Sequence, residues 1–301
     1  MFANFKRFCF NVKSVTNAKV DEADIEINGV MGGSGPPLLL IHGYPQSHLI
    51  WHRVAPILSE RFTVIATDLR GYGASSKPRG LADHSNYSKR AMARDQVEVM
   101  RQLGFESFYL CGHDRGARVS HRLAMDYPQH VKKLVMLDIS PTLAMYEQTT
   151  MEFARAYWHW FFLIQPAPLP ETVLGRDPGF YLRSVMSRGD QGLDTFAPAA
   201  LAEYLRCAKL PDAIHAMCED YRAAAGIDLE HDRETRAAGG KVKCPLRVFW
   251  GAEGVIERCF KPLSIWEEYA DSVGGSALPS GHYIPEQVPH ILLAQLQTFF
   301  G

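Results

Sequence analysis

The densest chemistry in the chain lies in residues 111–118, CGHDRGAR. This stretch contains a Gly-x-Asp-x-Gly pattern with a carboxylate, Asp114, where a nucleophile-elbow turn commonly holds serine. Small residues at 112 and 116 permit a tight strand-to-helix turn, so residue 114 would project from a strand end. The amides and positive dipole end of the following helix would then face it. A carboxylate placed there can displace a leaving group from saturated carbon, giving an alkyl–enzyme ester rather than an acyl-serine. Water attacking the Asp carbonyl regenerates the enzyme if a base removes its proton. Taken alone, the pattern also suits a plain turn with a helix-capping Asp, so the remaining chain has to supply the context.

Several segments supply it. HGYPQ (42–46) follows a run of leucines and can direct the Tyr44 backbone N–H, together with that of Arg115, at an oxyanion. SGHYIP (280–285) lies between a short strand signal and the last helix, which makes His282 the expected base among twelve histidines. Its position also satisfies the chain order nucleophile, acid, base. For the acid, the residues leave two candidates: Asp138 ends LVMLD, and Glu253 lies in WGAEG after the next core strand. Both occupy strand termini, where catalytic side chains of a parallel sheet collect. Arg115 and Arg118, three apart, would share the first turn of the elbow helix.

The elements that must position these residues are readable from periodicity. PPLLLIHG (36–43) and FTVIATDLRG (62–71) are almost continuously apolar between Pro and Gly, the pattern of strands buried on both faces. SKRAMARDQVEVMRQLG (88–104) carries Ala93, Val97, Met100 and Leu103 at helical spacing and ends at Gly. SFYLCGHD, RGARVSHRLAMDY and VKKLVMLD continue the alternation of strand, helix and strand. That order predicts an α/β fold, a mostly parallel sheet with helices on both faces. Residues 144–232 lack a convincing strand but are rich in aromatics and helical stretches such as MEFARAYWHWFFL; CPLRVFWG (244–251) restores the strand signal. The expected organisation is one core domain, 1–143 and 233–301, interrupted by a helical cap, 144–232.

Composition sets the outer bounds. A net charge of −1, with no basic clustering, gives no footprint for nucleic acid or an anionic membrane. The six cysteines form no CxxC pair or metal-ligand spacing and read as reduced thiols of a cytoplasmic protein. MFANFKRFCFNVKSV breaks its only apolar stretch with charges, unlike a signal peptide or a span.

Nearly the whole chain resembles the haloacetate (fluoroacetate) dehalogenases of the α/β-hydrolase superfamily. The matching stretches are GGSGPPLLLIHGYPQ, WHRVAP, DLRGYGASSKP, GHDRGARVSHRLA, LDISPT, ARAYWHWFFLIQPAPLPE, CEDYRA and SGHYIPE. The resemblance implies an α/β-hydrolase fold with Asp114 as nucleophile, His282 as base and Asp138 rather than Glu253 as its partner. It implies Arg115 and Arg118 as ligands of the substrate carboxylate, and His159, Trp160 and Tyr221 as the halide cradle. It calls for a small halocarboxylate substrate and no metal or organic cofactor. For His159, Trp160 and Tyr221 the residue pattern by itself favours an aromatic core. Two arginines would balance the charges of Asp114 and an anionic substrate, and their paired N–H groups would hold its carboxylate. A homodimer is the base-rate expectation.

One stretch departs from the family pattern. After DPGFY a tryptophan is expected, but the chain reads YLRSVMSRGDQG, with Met186, Ser187 and Arg188 in a shorter loop. The nearest rival reading is an epoxide hydrolase, with Tyr157, Tyr181 or Tyr204 as ring-opening acid; a non-catalytic binding protein on the same fold is another.

Overall fold

The computed structural model describes residues 1–13, 24–187 and 192–301. Eight strands form one sheet: β1 (Lys6–Lys13), β2 (Asp24–Gly32), β3 (Pro37–Ile41), β4 (Thr63–Thr67), β5 (Phe108–His113), β6 (Val131–Leu137), β7 (Leu246–Gly251) and β8 (Val273–Leu278). Their spatial order is β1-β2-β4-β3-β5-β6-β7-β8. The pairs β1/β2 and β2/β4 are antiparallel, while β3 through β8 and the β3/β4 pair run parallel. This is the α/β fold that the alternating sequence pattern predicts. Leu38 to Ile41 in β3 and Leu134 to Leu137 in β6 are fully buried, as strands covered on both faces require.

The sheet register brings the chemistry together. His113 pairs with Leu137 across β5 and β6, so the next residues, Asp114 and Asp138, emerge at adjacent strand ends. The ladder continues through both: the Asp114 N–H donates to Leu137 O at 3.1 Å, and the Asp138 N–H to Phe249 O at 2.8 Å. Between β6 and β7 the described chain is helical, running from Thr142–Glu147 to Ile227–Ala237. Within it, Trp158–Leu163, Pro178–Met186 and Ala213–Ala225 bear the aromatics nearest the elbow. Met186 is buried at a helix end and Ser187 caps it; Arg188 lies outside the described residues. No helix among the described residues is long and apolar enough to cross a membrane.

The helix Arg115–Asp126 packs so closely on β3 that no side chain fits at its second residue. A Cβ on Gly116 would lie 2.2 Å from His42 O and 2.4 Å from Ile41 O, both rigid backbone atoms. Gly116→Ala is therefore expected to lower stability by about 1–3 kcal/mol, the usual cost of overpacking a core. Urea unfolding of the two proteins measures the difference.

Candidate active site

Asp114 occupies the turn itself, at φ 49° and ψ −115°. A non-glycine residue there stores strain of about 1–3 kcal/mol and needs surroundings that hold it. The loop after β3 provides them: Gly43 approaches so near that a Cβ on it would sit 2.5 Å from the Asp114 Cβ. The next amide, Tyr44 N–H, donates to Asp114 Oδ1 at 2.9 Å. Arg115 opens the following helix, where an amide has no intrahelical acceptor.

His282 lies between the two carboxylates. Its Nδ1 is 2.5 Å from Asp138 Oδ2, and its Nε2 is 3.9 Å from Asp114 Oδ2. Asp138, at φ 54°, accepts the Gly251 N–H at 2.9 Å through Oδ1, which holds the carboxylate in one orientation. Glu253 lies exposed in the loop after β7, so Asp138 is the carboxylate that meets His282. Behind His282, His113 Nε2 donates to the His282 carbonyl at 2.7 Å. Burial, reinforced by His282, pushes the His113 imidazole down to about 3, so it remains neutral. For Asp114, burial opposes ionisation, but the neighbouring His282, Arg118 and Arg115 outweigh it and hold the carboxyl below its usual value.

The two arginines differ. Arg115 is fully buried, and Asp220 takes its Nε at 2.9 Å and its Nη2 at 2.7 Å. Its guanidinium carbon lies 4.2 Å above the Tyr221 ring, and Nη1 alone has no hydrogen-bond partner. Asp220 thus engages two of the three Arg115 nitrogens, and one is left to give. Arg118 donates through Nη1 to Thr142 Oγ1 at 2.9 Å and to Ser140 O at 3.2 Å. Its Nε has no partner, and its guanidinium lies 4.7 Å over Trp160. Among the described residues no carboxylate reaches salt-bridge distance of Arg118. Burial, followed by repulsion from Arg115, lowers its pKa.

The aromatic wall closes the site. A small cavity, far below the roughly 300–1,000 Å³ of drug-sized ligand pockets, is lined by Tyr44, Asp114 and His282 from the core, and by Tyr157, His159 and Val185 from the insertion. His159 stacks on Tyr44 at 5.5 Å, and Tyr221 meets both Tyr44 and His159 edge-on. Trp160 is fully buried beside Tyr221, whose hydroxyl is buried with no hydrogen-bond partner. Of the tyrosines considered as ring-opening acids, Tyr157 approaches His282 Nδ1 at 3.5 Å, Tyr181 shares a hydrogen bond with the Tyr44 hydroxyl, and Tyr204 donates to Glu286 at 2.9 Å. A larger hollow beside Trp250 and Phe260 contains none of these residues.

Residues 36–227 match the family model of the alpha/beta hydrolase fold. The chain is 49% identical to the fluoroacetate dehalogenase of a Burkholderia species, over 94% of this chain and 92% of that protein. It is 34% identical to the soluble epoxide hydrolase of Corynebacterium sp. strain C12, over 90% and 92%. A solved structure of an α/β-hydrolase-fold protein from Nostoc sp. PCC 7120 superposes with a TM-score of 0.93 at 52% identity, covering 100% of this chain and 99% of that one. The chain belongs to the haloacetate dehalogenase family of the α/β-hydrolases.

Within that family frame, sequence reasoning missed the polar residues that stand behind the site. Asp220 lies inside CEDYRA, beside the Tyr221 that was singled out. Glu286 follows His282 by four positions and is fully buried. Its Oε1 accepts the Tyr204 hydroxyl from the insertion, and burial pushes its carboxyl from 4.5 to about 7. An acid with a raised folded-state pKa contributes full stability below its unfolded value and loses it as pH rises through the folded value. The window here is pH 4.5 to 7, and the loss amounts to roughly 3 kcal/mol. Urea unfolding at pH 5 and pH 8 should show this decline in the native protein and a flatter profile in Glu286→Gln.

Proposed function

We propose that this chain hydrolyses the carbon–halogen bond of small 2-halocarboxylates, with haloacetates as the simplest substrates. The observation that carries this reading is the pair of buried arginines beside Asp114 with unsatisfied nitrogens, Arg115 Nη1 and Arg118 Nε. Buried donors without acceptors cost about 1–3 kcal/mol each, which an anionic ligand recovers. A carboxylate bound there brings C2 toward Asp114. The Tyr44 amide occupies Oδ1, which leaves Oδ2 as the attacking oxygen. The Oδ2–C2 bond forms as the carbon–halogen bond breaks, and the halide leaves with the electron pair. His159, Trp160 and Tyr221 receive it, the unpartnered Tyr221 hydroxyl supplying one donor.

Hydrolysis of the ester uses the other half of the site. His282, oriented through Nδ1 by Asp138, takes a proton from water at Nε2, and the oxygen adds to the Asp114 carbonyl. The Tyr44 and Arg115 amides hold the oxyanion. Collapse expels the alkoxide, which regains the proton from His282 as glycolate when the substrate is a haloacetate, and the Asp114 carboxyl releases the second water proton to return as carboxylate. Displacement occurs once at C2, so a chiral acid is inverted. The helical insertion, residues 144–232, acts as the cap that excludes bulk water. No metal or organic cofactor enters these steps.

Epoxide hydrolysis is the second reading, favoured by the 34% identical epoxide hydrolase and by the tyrosine hydroxyls around the cavity. A neutral epoxide leaves Arg118 without an anion, which places this reading second. The deciding experiment follows fluoride and chloride release from fluoroacetate and chloroacetate. The native protein should release halide, and Asp114→Asn should lose at least about a thousandfold in rate, as expected for a nucleophile. In a single turnover in ¹⁸O-water, label should enter Asp114. Label in the glycolate instead would sink the ester mechanism. Tyr221→Phe should slow fluoride release more than chloride release, by roughly 10–100-fold, because the compact fluoride depends most on each donor.

A further inference from the structure

Asp220 belongs to the insertion helix Ala213–Ala225, yet its side-chain partners all come from the core. Tyr72 donates its hydroxyl to Oδ2 at 2.5 Å, Lys89 Nζ bonds to Oδ1, and Arg115 donates to Oδ2 through Nε and to Oδ1 through Nη2. Arg115 Nη2 also reaches the Asp220 carbonyl at 2.8 Å. Asp220 and Tyr221 are consecutive, so their side chains leave the helix about 100° apart. One takes the edge of the Arg115 guanidinium and the other its face. A planar group held along an edge and across a face has little freedom left, and one nitrogen, Nη1, remains to be offered. Arg118 has no such carboxylate among the described residues; its partners are a carbonyl, a hydroxyl and a thioether.

We propose that Asp220 is a positioning residue that fixes Arg115 as a one-nitrogen pointer for the substrate carboxylate, while Arg118, with no carboxylate at salt-bridge distance among the described residues, supplies the positive charge that binds it. The proposal rests on the halocarboxylate reading of the site and divides the labour between its two arginines. Arg118 sets whether an anion binds, and Asp220 through Arg115 sets how C2 faces Asp114. Losing orientation penalises the reactive geometry more than affinity, since a misaligned acid still binds but rarely attacks.

Asp220→Asn keeps the volume and removes the charge. For chloroacetate its kcat is expected to fall at least about tenfold, with KM and the inhibition constant of acetate changed by no more than about threefold. Asp220→Glu, which restores the acceptor pair, should recover part of kcat. A residue that merely holds the insertion in place would instead lower the melting temperature and leave kcat per active site within twofold, which overturns the proposal. Acetate bound more tightly with kcat retained would also overturn it, because that marks a residue that only tunes charge. If Asp220→Asn does not fold, Tyr72→Phe removes one donor from Asp220 without altering charge; a kcat loss of about threefold at constant KM supports the proposal, and an unchanged kcat overturns it. Calorimetric titration with acetate separates this failure from failure of the dehalogenase reading, since it needs no turnover. Arg118→Gln should weaken acetate at least about tenfold and Asp220→Asn far less; the reverse order overturns the division of labour.

Discussion

An ionised carboxylate taken out of water is costly, and at Asp114 the surrounding protein has to offset that cost. The compensation arrives in layers. The Tyr44 amide and the start of the following helix contribute partial positive charges, and Arg115 and Arg118 contribute full ones. Burying Arg115 creates the same difficulty with opposite sign, which Asp220 answers. Asp220 in turn faces Lys89, and Lys89 Nζ lies 3.3 Å from Asp228 Oδ2. An alternating series of charges thus runs outward from Asp114, each member needed because the one before it is buried.

That series also explains how two parts of the chain come to form one site. The core contributes Asp114, His282, Asp138, Arg115 and Lys89; the insertion contributes Asp220 and the aromatic wall. Ion pairs across the seam replace what would otherwise be two desolvated surfaces of opposite charge. A second polar contact, Tyr204 with Glu286, ties the insertion to the segment just after His282. The turn that carries His282 is therefore braced from the core side by His113 and from the insertion side through Glu286.

The core was legible because its signals are local. Strands buried on both faces leave unbroken apolar runs, and the elbow announces itself by two small residues around an Asp. The ambiguity between Asp138 and Glu253 resolves on one residue of spacing: Asp138 follows β6 immediately, whereas Glu253 lies two positions past the end of β7. Two kinds of feature were not legible. β8 reads VGGSAL, half-exposed with two glycines, so it leaves only a short strand signal, and the antiparallel β1 sets Phe8, Phe10 and Val12 between Arg7, Cys9, Asn11 and Lys13, unlike the continuously apolar parallel strands. The partners of the site are separated by long stretches of chain: Arg115 and Asp220 by 105 positions, Tyr204 and Glu286 by 82. No periodicity links residues so far apart, and in the sequence alone Asp220 is one more acid on a polar helix face.

The crowding at Gly43 and Gly116 has a consequence for variant libraries built on this scaffold. Neither residue carries a functional group, yet each is held by backbone or by the Asp114 Cβ at distances where no added carbon fits. Tolerance to substitution around the elbow will therefore track available space rather than chemical role. A screen scored by activity would rank these two silent positions beside Asp114, although neither supplies a chemical group. Diversity aimed at new substrates belongs in the residues that face the cavity from the insertion, such as Val185, because there the backbone of the elbow is not at stake.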